Sequence, residues 1–139
     1  MTAARPEVSG FYDPDTATIS YVVIDPATRV AAIIDSVLDY DPASGRTRMH
    51  SADRLLDCVR KNDATVAWIL ETHVHADHLS AAPYLKDRVG GIIGIGAHVS
   101  EAQRSFARIY NIDHPADGSP FDHLFHDGDT FQIGSLAAR

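Results

Sequence analysis

The sequence predicts an α+β fold in which a mixed β-sheet carries helices on one face. Strand-like and helix-like segments alternate through the middle of the chain, and two-stranded hairpins are predicted at both ends. The composition agrees, because 45% of the 139 residues are hydrophobic and 22% are charged, as in an ordinary globular domain. Intrinsic disorder and fibrous classes are excluded by the same composition.

The N-terminal third is predicted to hold an irregular segment, a hairpin and a loop. Residues 1–10 are polar and are expected to be irregular, so that the folded part spans 11–139. Segments 18–24 and 29–35 are predicted strands, since β-favouring residues flank the turn formers between them. Residues 37–50 are rich in turn formers and are expected to form an exposed loop.

The rest of the chain alternates helices with strands. Helices are predicted where apolar residues recur at helical spacing, over 52–61, 80–89 and 100–110. The continuous apolar run 65–70 predicts a buried strand, and 92–95 predicts another. Segments 121–125 and 130–133 are predicted to form a C-terminal hairpin.

Charge and hydropathy exclude several classes of partner. The chain has 12 basic and 19 acidic residues, a net charge of −7, which disfavours binding to nucleic acid. Its longest apolar runs are far shorter than the roughly 18 to 20 residues of a membrane span, and no export signal opens the sequence. We therefore expect no membrane partner and a cytoplasmic location. A single cysteine, Cys58, cannot form an intramolecular disulfide.

Three histidines and a carboxylate crowd into the segment that follows the predicted strand 65–70. Residues 71–78 read Glu-Thr-His-Val-His-Ala-Asp-His. In extended backbone His73 and His75 point the same way, so both imidazoles can reach one ion, whereas Val74 would face the core.

Two further ligands lie where the chain turns into the next helix. The side chains of Asp77 and His78 can reach the same ion from the start of that helix. Since ligand sites gather at the carboxyl ends of sheet strands, the sequence predicts a metal site there.

The other polar residues are expected to have structural roles. Glu71 is expected to be a solvated charge at a strand end. The remaining histidines have no ligand spacing and are expected to be surface or packing residues: His50, His98, His114, His123 and His126.

Residues 72–78 match the pattern T-H-x-H-x-D-H, and at these residues the chain resembles the metallo-β-lactamase superfamily. The acidic turn 34–38 and segments 69–85 and 127–134 are also similar to its persulfide dioxygenase and glyoxalase II-like branch. The resemblance implies a metallo-β-lactamase-type αββα sandwich, of which this chain covers the N-terminal αβ half.

The resemblance implies one of two metal centres. Persulfide dioxygenases hold a single Fe(II) through the position of His73. Dinuclear zinc hydrolases of the glyoxalase II type use His73 and His75 for one Zn ion, and Asp77 and His78 for the second.

The same resemblance suggests supporting residues and a substrate. Thr72 and Asp35 are expected to support the ligands from behind, although Asp35 could equally be an ordinary carboxylate at a strand end. The implied substrate is a small-molecule thiol derivative, such as glutathione persulfide or a glutathione thioester.

The remaining ligands of the superfamily would follow a strand near Phe131, beyond Arg139. We therefore expect this N-terminal half to be weak or inactive as an enzyme by itself. An uncovered apolar sheet face would favour self-association into a homo-oligomer. A non-catalytic module that binds metal or a partner is the third alternative.

Overall fold

The computed structural model describes residues 5–139. Within this range the chain forms strands and helices in the order β1 (Glu7–Asp13), β2 (Thr18–Ile24), β3 (Val30–Ile34), β4 (Val37–Asp41), β5 (Arg46–Arg48), α1 (His50–Lys61), β6 (Thr65–Leu70), β7 (Leu79–Ser80), α2 (Ala82–Val89), β8 (Ile92–Gly96), α3 (Val99–Tyr110), β9 (His123–Phe125), β10 (Phe131–Ile133) and β11 (Leu136–Ala138). Of the segment expected to be irregular, residues 1–4 lie outside the described residues.

A six-stranded mixed sheet forms the centre of the fold, in the order β1-β2-β3-β6-β8-β9. The first three strands pair antiparallel, and β3, β6, β8 and β9 pair parallel. Two smaller sheets accompany it: β4 between β5 and β7, and the hairpin β10-β11. The α+β class and the mixed sheet predicted from the sequence are confirmed.

The core lies between the central sheet and the helices α1 and α2. Leu55 and Leu56 of α1 and Leu85 of α2 are almost fully buried, and they belong to one apolar cluster with Ile33 and Ile69 of the sheet. The apolar positions of α1 recur at helical spacing, which gives the helix one face that packs on the sheet. None of the helices in residues 5–139 is long and apolar enough to cross a membrane.

Three of the element predictions are wrong. Strand β1 begins at Glu7, so residues 7–10 are not irregular. Segment 37–50 is not an exposed loop, since it holds the antiparallel pair β4-β5 and the first residue of α1. Segments 121–125 and 130–133 do not pair with each other, because β9 adds in parallel to β8 and β10 pairs with β11.

A buried aspartate holds the C-terminal hairpin against the sheet. Asp25, in the turn between β2 and β3, accepts hydrogen bonds from the backbone N–H and the hydroxyl of Ser135, each 2.7 Å long. It also accepts from the Thr28 hydroxyl at 2.7 Å and from the Ala27 N–H at 3.0 Å. The bonds from Ser135 and Thr28 keep the pKa of Asp25 well below its ordinary value. Gly134, at φ +62°, permits this approach, because a Cβ there would collide with the Thr28 hydroxyl.

Candidate metal centre

The segment with the predicted ligands begins at the carboxyl end of β6. Its start is fixed by two backbone hydrogen bonds to the neighbouring strands: the Asp35 N–H donates to Leu70 at 2.9 Å, and the Glu71 N–H donates to Gly94 at 3.0 Å. Residues 72–78 then form bends without helix or strand structure. We call residues 71–78 the histidine loop.

The loop brings the four predicted ligand residues together. The ring centroids of His73 and His75 lie 4.3 Å apart, and those of His75 and His78 lie 4.1 Å apart. The Asp77 carboxylate lies 3.3 Å from Nδ1 of His78 and 3.8 Å from Nδ1 of His75. The proximity follows the prediction, whereas ligation by these residues stays a prediction.

Two carboxylates determine which nitrogen of His75 faces the cluster. Nε2 of His75 lies 2.9 Å from Asp35 Oδ1 and 2.9 Å from Glu71 Oε2. A nitrogen between two acceptors carries the proton, so Nδ1 keeps the lone pair and faces Asp77. A carboxylate behind the far nitrogen is typical of histidines that bind metal.

The Thr72 hydroxyl determines the tautomer of His73, as the two carboxylates determine that of His75. Thr72 donates to Asp35 twice, from its backbone N–H at 2.7 Å and from its hydroxyl at 2.7 Å. Because the hydroxyl has a single proton, its oxygen can only accept the hydrogen bond from Nδ1 of His73, 2.8 Å away. His73 is therefore protonated at Nδ1, and Nε2 has the lone pair. Asp35 thus sets the tautomer of His75 directly and that of His73 through Thr72.

His78 contributes a buried nitrogen without a partner. Its side chain is fully buried, and Nδ1 lies 3.3 Å from the Thr18 hydroxyl and 3.3 Å from Asp77. Nε2 has no hydrogen-bond partner among residues 5–139. An unsatisfied buried polar atom costs about 1–3 kcal/mol, so this nitrogen favours a ligand in the cluster.

Asp77 is ionised at neutral pH. The hydrogen bond from the His78 ring and then the one from the Thr18 hydroxyl, 3.0 Å long, lower the pKa of Asp77 from 3.8 to about 2. Its side chain is half exposed and provides the negatively charged oxygen of the group.

The resulting set of donors fits a metal ion of the zinc or iron(II) type. Imidazole nitrogens and carboxylate oxygens are the ligands that such ions take in proteins. One group, His75, Asp77 and His78, offers ligand atoms that lie within 4.8 Å of one another. A second group, Asp35, Glu71 and His75, has equally close atoms, but its N–O distances of 2.9 Å are those of hydrogen bonds. Of the four predicted ligand residues, His73 belongs to neither group of close ligand atoms among residues 5–139.

Glu71 and Val74 differ from their predictions. Glu71 is only 6% exposed and accepts hydrogen bonds from His75 and from the Ser80 hydroxyl, and its burial raises the pKa of the carboxyl. It is a partner of the candidate metal centre and not a solvated charge. Val74 is 42% exposed and does not face the core, because the loop is bent where extended backbone was assumed.

Thr18 is a supporting residue that the sequence did not reveal. It lies 59 residues before Asp77 in the chain, and β2 places its hydroxyl beside the loop. The five scattered histidines, His50, His98, His114, His123 and His126, belong to neither candidate ligand group of the described residues.

Residues 15–137 match the profile of the metallo-beta-lactamase superfamily. The chain belongs to the metallo-β-lactamase superfamily. The profile covers most of the chain, including the whole histidine loop, and the resemblance stated from the sequence is confirmed.

The relatives within this superfamily include both a probable hydrolase and a dioxygenase. A probable metallo-hydrolase of Burkholderia pseudomallei is 58% identical over 135 residues, covering 95% of this chain and 46% of its own length. The mitochondrial persulfide dioxygenase ETHE1 of Bos taurus is 25% identical, covering 91% of this chain and 39% of the relative. The chain therefore spans about half the length, or less, of these curated relatives.

A solved structure shows the same fold. The crystal structure of ETHE1 from Myxococcus xanthus superposes with a TM-score of 0.67 at 26% identity, covering 94% of this chain and 45% of that one. The predicted fold class, α+β of the metallo-β-lactamase type, is confirmed by this likeness.

Proposed function

We propose that this chain forms the metal-binding part of an enzyme that oxidises the persulfide of a small-molecule thiol, such as glutathione. The reaction would convert one persulfide, one dioxygen and one water into the thiol and sulfite. The observation that carries the proposal is the hydrogen-bonded path from Asp35 through the Thr72 hydroxyl to Nδ1 of His73, which leaves the lone pair of His73 on Nε2. The likeness to two ETHE1 proteins, one of them a persulfide dioxygenase, supports it.

The residues of the chain have separate tasks in this proposal. His73 would hold Fe(II), and Thr72 and Asp35 would keep its ring in the ligating tautomer. His75 and Glu71, joined by a hydrogen bond of 2.9 Å, would form a fixed polar wall of the site. A bound iron(II) ion would supply the redox chemistry and open positions for substrate and dioxygen.

A second candidate function is hydrolysis of a thioester at two zinc ions, as in the glyoxalase II type. The unpartnered, buried Nε2 of His78 favours it, because a second ion next to Asp77 would satisfy this nitrogen. The probable metallo-hydrolase among the relatives supports it as well. Zinc would lower the pKa of a bound water toward about 7 and polarise the thioester carbonyl.

Metal content and two activities separate these functions in the whole protein. The dioxygenase predicts about one iron per chain and oxygen uptake with the persulfide of glutathione or of an alkyl thiol, whereas the hydrolase predicts about two zinc ions and cleavage of a thioester of either thiol. Neither activity in the metal-loaded whole protein would contradict both and favour the non-catalytic module. As a control, His73→Ala should abolish either activity while the circular dichroism spectrum is retained.

A further inference from the structure

A largely apolar pocket lies between the histidine loop and α3. Its volume is about 360 Å³, within the range of small-molecule sites. Apolar side chains from the loop, from β8, from α3 and from the segment after it form most of the wall: Val74, Ile95, Phe106, Ile112 and Phe121. The imidazoles of His73, His75 and His78 line the same pocket. A molecule in this pocket therefore reaches the candidate metal centre.

Hydrogen bonds hold the far wall of this pocket in place. Gln103 of α3 donates to the Ser119 carbonyl at 2.6 Å and accepts from the Gly118 N–H at 2.9 Å. Asn111 ends the helix in the left-handed region, at φ +50°, and the Ile112 N–H donates back to Ala107 at 3.0 Å. The turn thereby places Ile112 over the pocket.

The rim of the pocket exposes apolar surface. Val74, Phe106 and Ile112 are 42%, 44% and 54% exposed. Adjoining apolar side chains that face solvent beside a polar site commonly mark a binding surface. An apolar ligand would remove this surface from water.

The two pockets that border the centre differ in charge. No lysine or arginine within residues 5–139 lines the apolar pocket, and the carboxylate that does, Glu71, is already bonded to Ser80 and His75. A second pocket, of about 850 Å³, also borders the centre at His75, Asp77 and His78, and its wall includes Asp13, Asp15, Asp39, Asp41 and Arg48. The basic side chains that line the apolar pocket are four histidines, His114 among them, so the described residues offer no lysine or arginine to an anionic group such as the carboxylates of a peptide thiol.

We propose that the α3 pocket binds an uncharged, apolar organic group of the substrate, so that alkyl or aryl derivatives of thiols are preferred over glutathione derivatives. The inference rests on the proposed function for the identity of the reacting group. It deepens that function by naming the part of the substrate that this chain selects. The pocket itself exists without a metal ion, so its binding can be measured separately.

The first test is probe binding to the metal-free 139-residue chain in the presence of a chelator. The neutral, apolar dye N-phenyl-1-naphthylamine should bind with enhanced fluorescence, and Phe106→Ala should weaken binding about tenfold. Ile109→Ala is the matched control: Ile109 is 72% exposed on the same helix, does not line the pocket, and should change binding less than twofold. Equal loss in both variants, or no saturable binding, would overturn the proposal.

Competition identifies the preferred substrate class. Lengthening 1-butanethiol to 1-hexanethiol should lower the concentration that displaces the dye about fourfold per methylene, whereas glutathione should not displace it. Displacement by glutathione at the concentration required for hexanethiol would overturn the preference. Zinc titration of the same protein after removal of the chelator keeps the two proposals distinguishable, because dye binding without zinc binding would contradict only the proposed function. Zinc binding without dye binding would contradict only the pocket.

Discussion

The Asp35→Asn substitution tests whether Asp35 sets the ring tautomers of His73 and His75 and thereby supports metal binding. Asp35 lies at φ +51°, a conformation that asparagine adopts as readily as aspartate, so the backbone should stay in place. The substitution replaces one acceptor oxygen by an NH₂ group. If the amide oxygen retains the bonds from the Thr72 N–H and from His75, the NH₂ group faces the Thr72 hydroxyl.

That hydroxyl must then turn its proton to Nδ1 of His73. His73 changes to the tautomer protonated at Nε2, and its metal-binding lone pair is lost. Removing such supporting contacts costs about 10- to 100-fold in metal affinity, or about 1.4 to 2.7 kcal/mol. The assay is a competitive titration of the chain with zinc at pH 7 against a chromophoric chelator. Asp63→Asn is the matched control, since Asp63 is an exposed aspartate at φ +48° outside the centre.

Substitutions of Thr72 test the hydrogen-bonded path from Asp35 to His73 directly. Thr72→Val removes the hydroxyl, and Thr72→Ser keeps it, so the serine variant should retain zinc affinity and the valine variant should not. Asp35→Asn combined with Thr72→Val should lose less than the sum of the two single losses, because both break one hydrogen-bonded path. Additive losses, or wild-type affinity in Asp35→Asn, would refute the reasoning.

Three further predictions concern other parts of the chain. His78→Ala should weaken zinc binding about tenfold or more in the same titration, and an unchanged affinity would remove the support for a second ion. The Lys86 ammonium lowers the pKa of Asp122 below 3.8 in the folded chain, so this carboxylate stabilises the fold above that pH and the stabilisation is lost as the pH falls below it. Asp122→Asn should therefore lower the urea midpoint at pH 6 and change it little at pH 2. Leu85→Ala should cost about 3 kcal/mol in urea unfolding because its side chain is fully buried, whereas the exposed Ile109→Ala should cost less than about 0.5 kcal/mol.

The sequence predicted the elements and the cluster of residues that have strong local signals. The apolar run of β6 and the helical spacing in α1 and α2 each lie within one segment, so periodicity was sufficient to find them. The histidine loop was found because its ligand types lie within eight consecutive positions.

The elements and contacts that the sequence missed depend on distant partners. Strand β4 was interpreted as a loop because its turn-forming residues gave no strand pattern, yet it pairs with both β5 and β7. Strand β9 lies within the predicted segment 121–125, but its parallel pairing with β8 was missed because β8 is distant in the chain. Thr18 is brought to Asp77 by the sheet, and Glu71 is buried by the bend of the loop, so neither role could be found in the local sequence.

The buried Asp25 has a consequence for the order in which the chain assembles. Its bonds to Ser135 join positions 110 residues apart, so they form only after the intervening chain has been brought into place. The hairpin β10-β11 should therefore be the last part to dock and the first to detach in native-state hydrogen exchange. Early release of this hairpin would uncover the aromatic cluster of Trp68 and Phe131, which makes it the point at which partial unfolding would begin to promote aggregation.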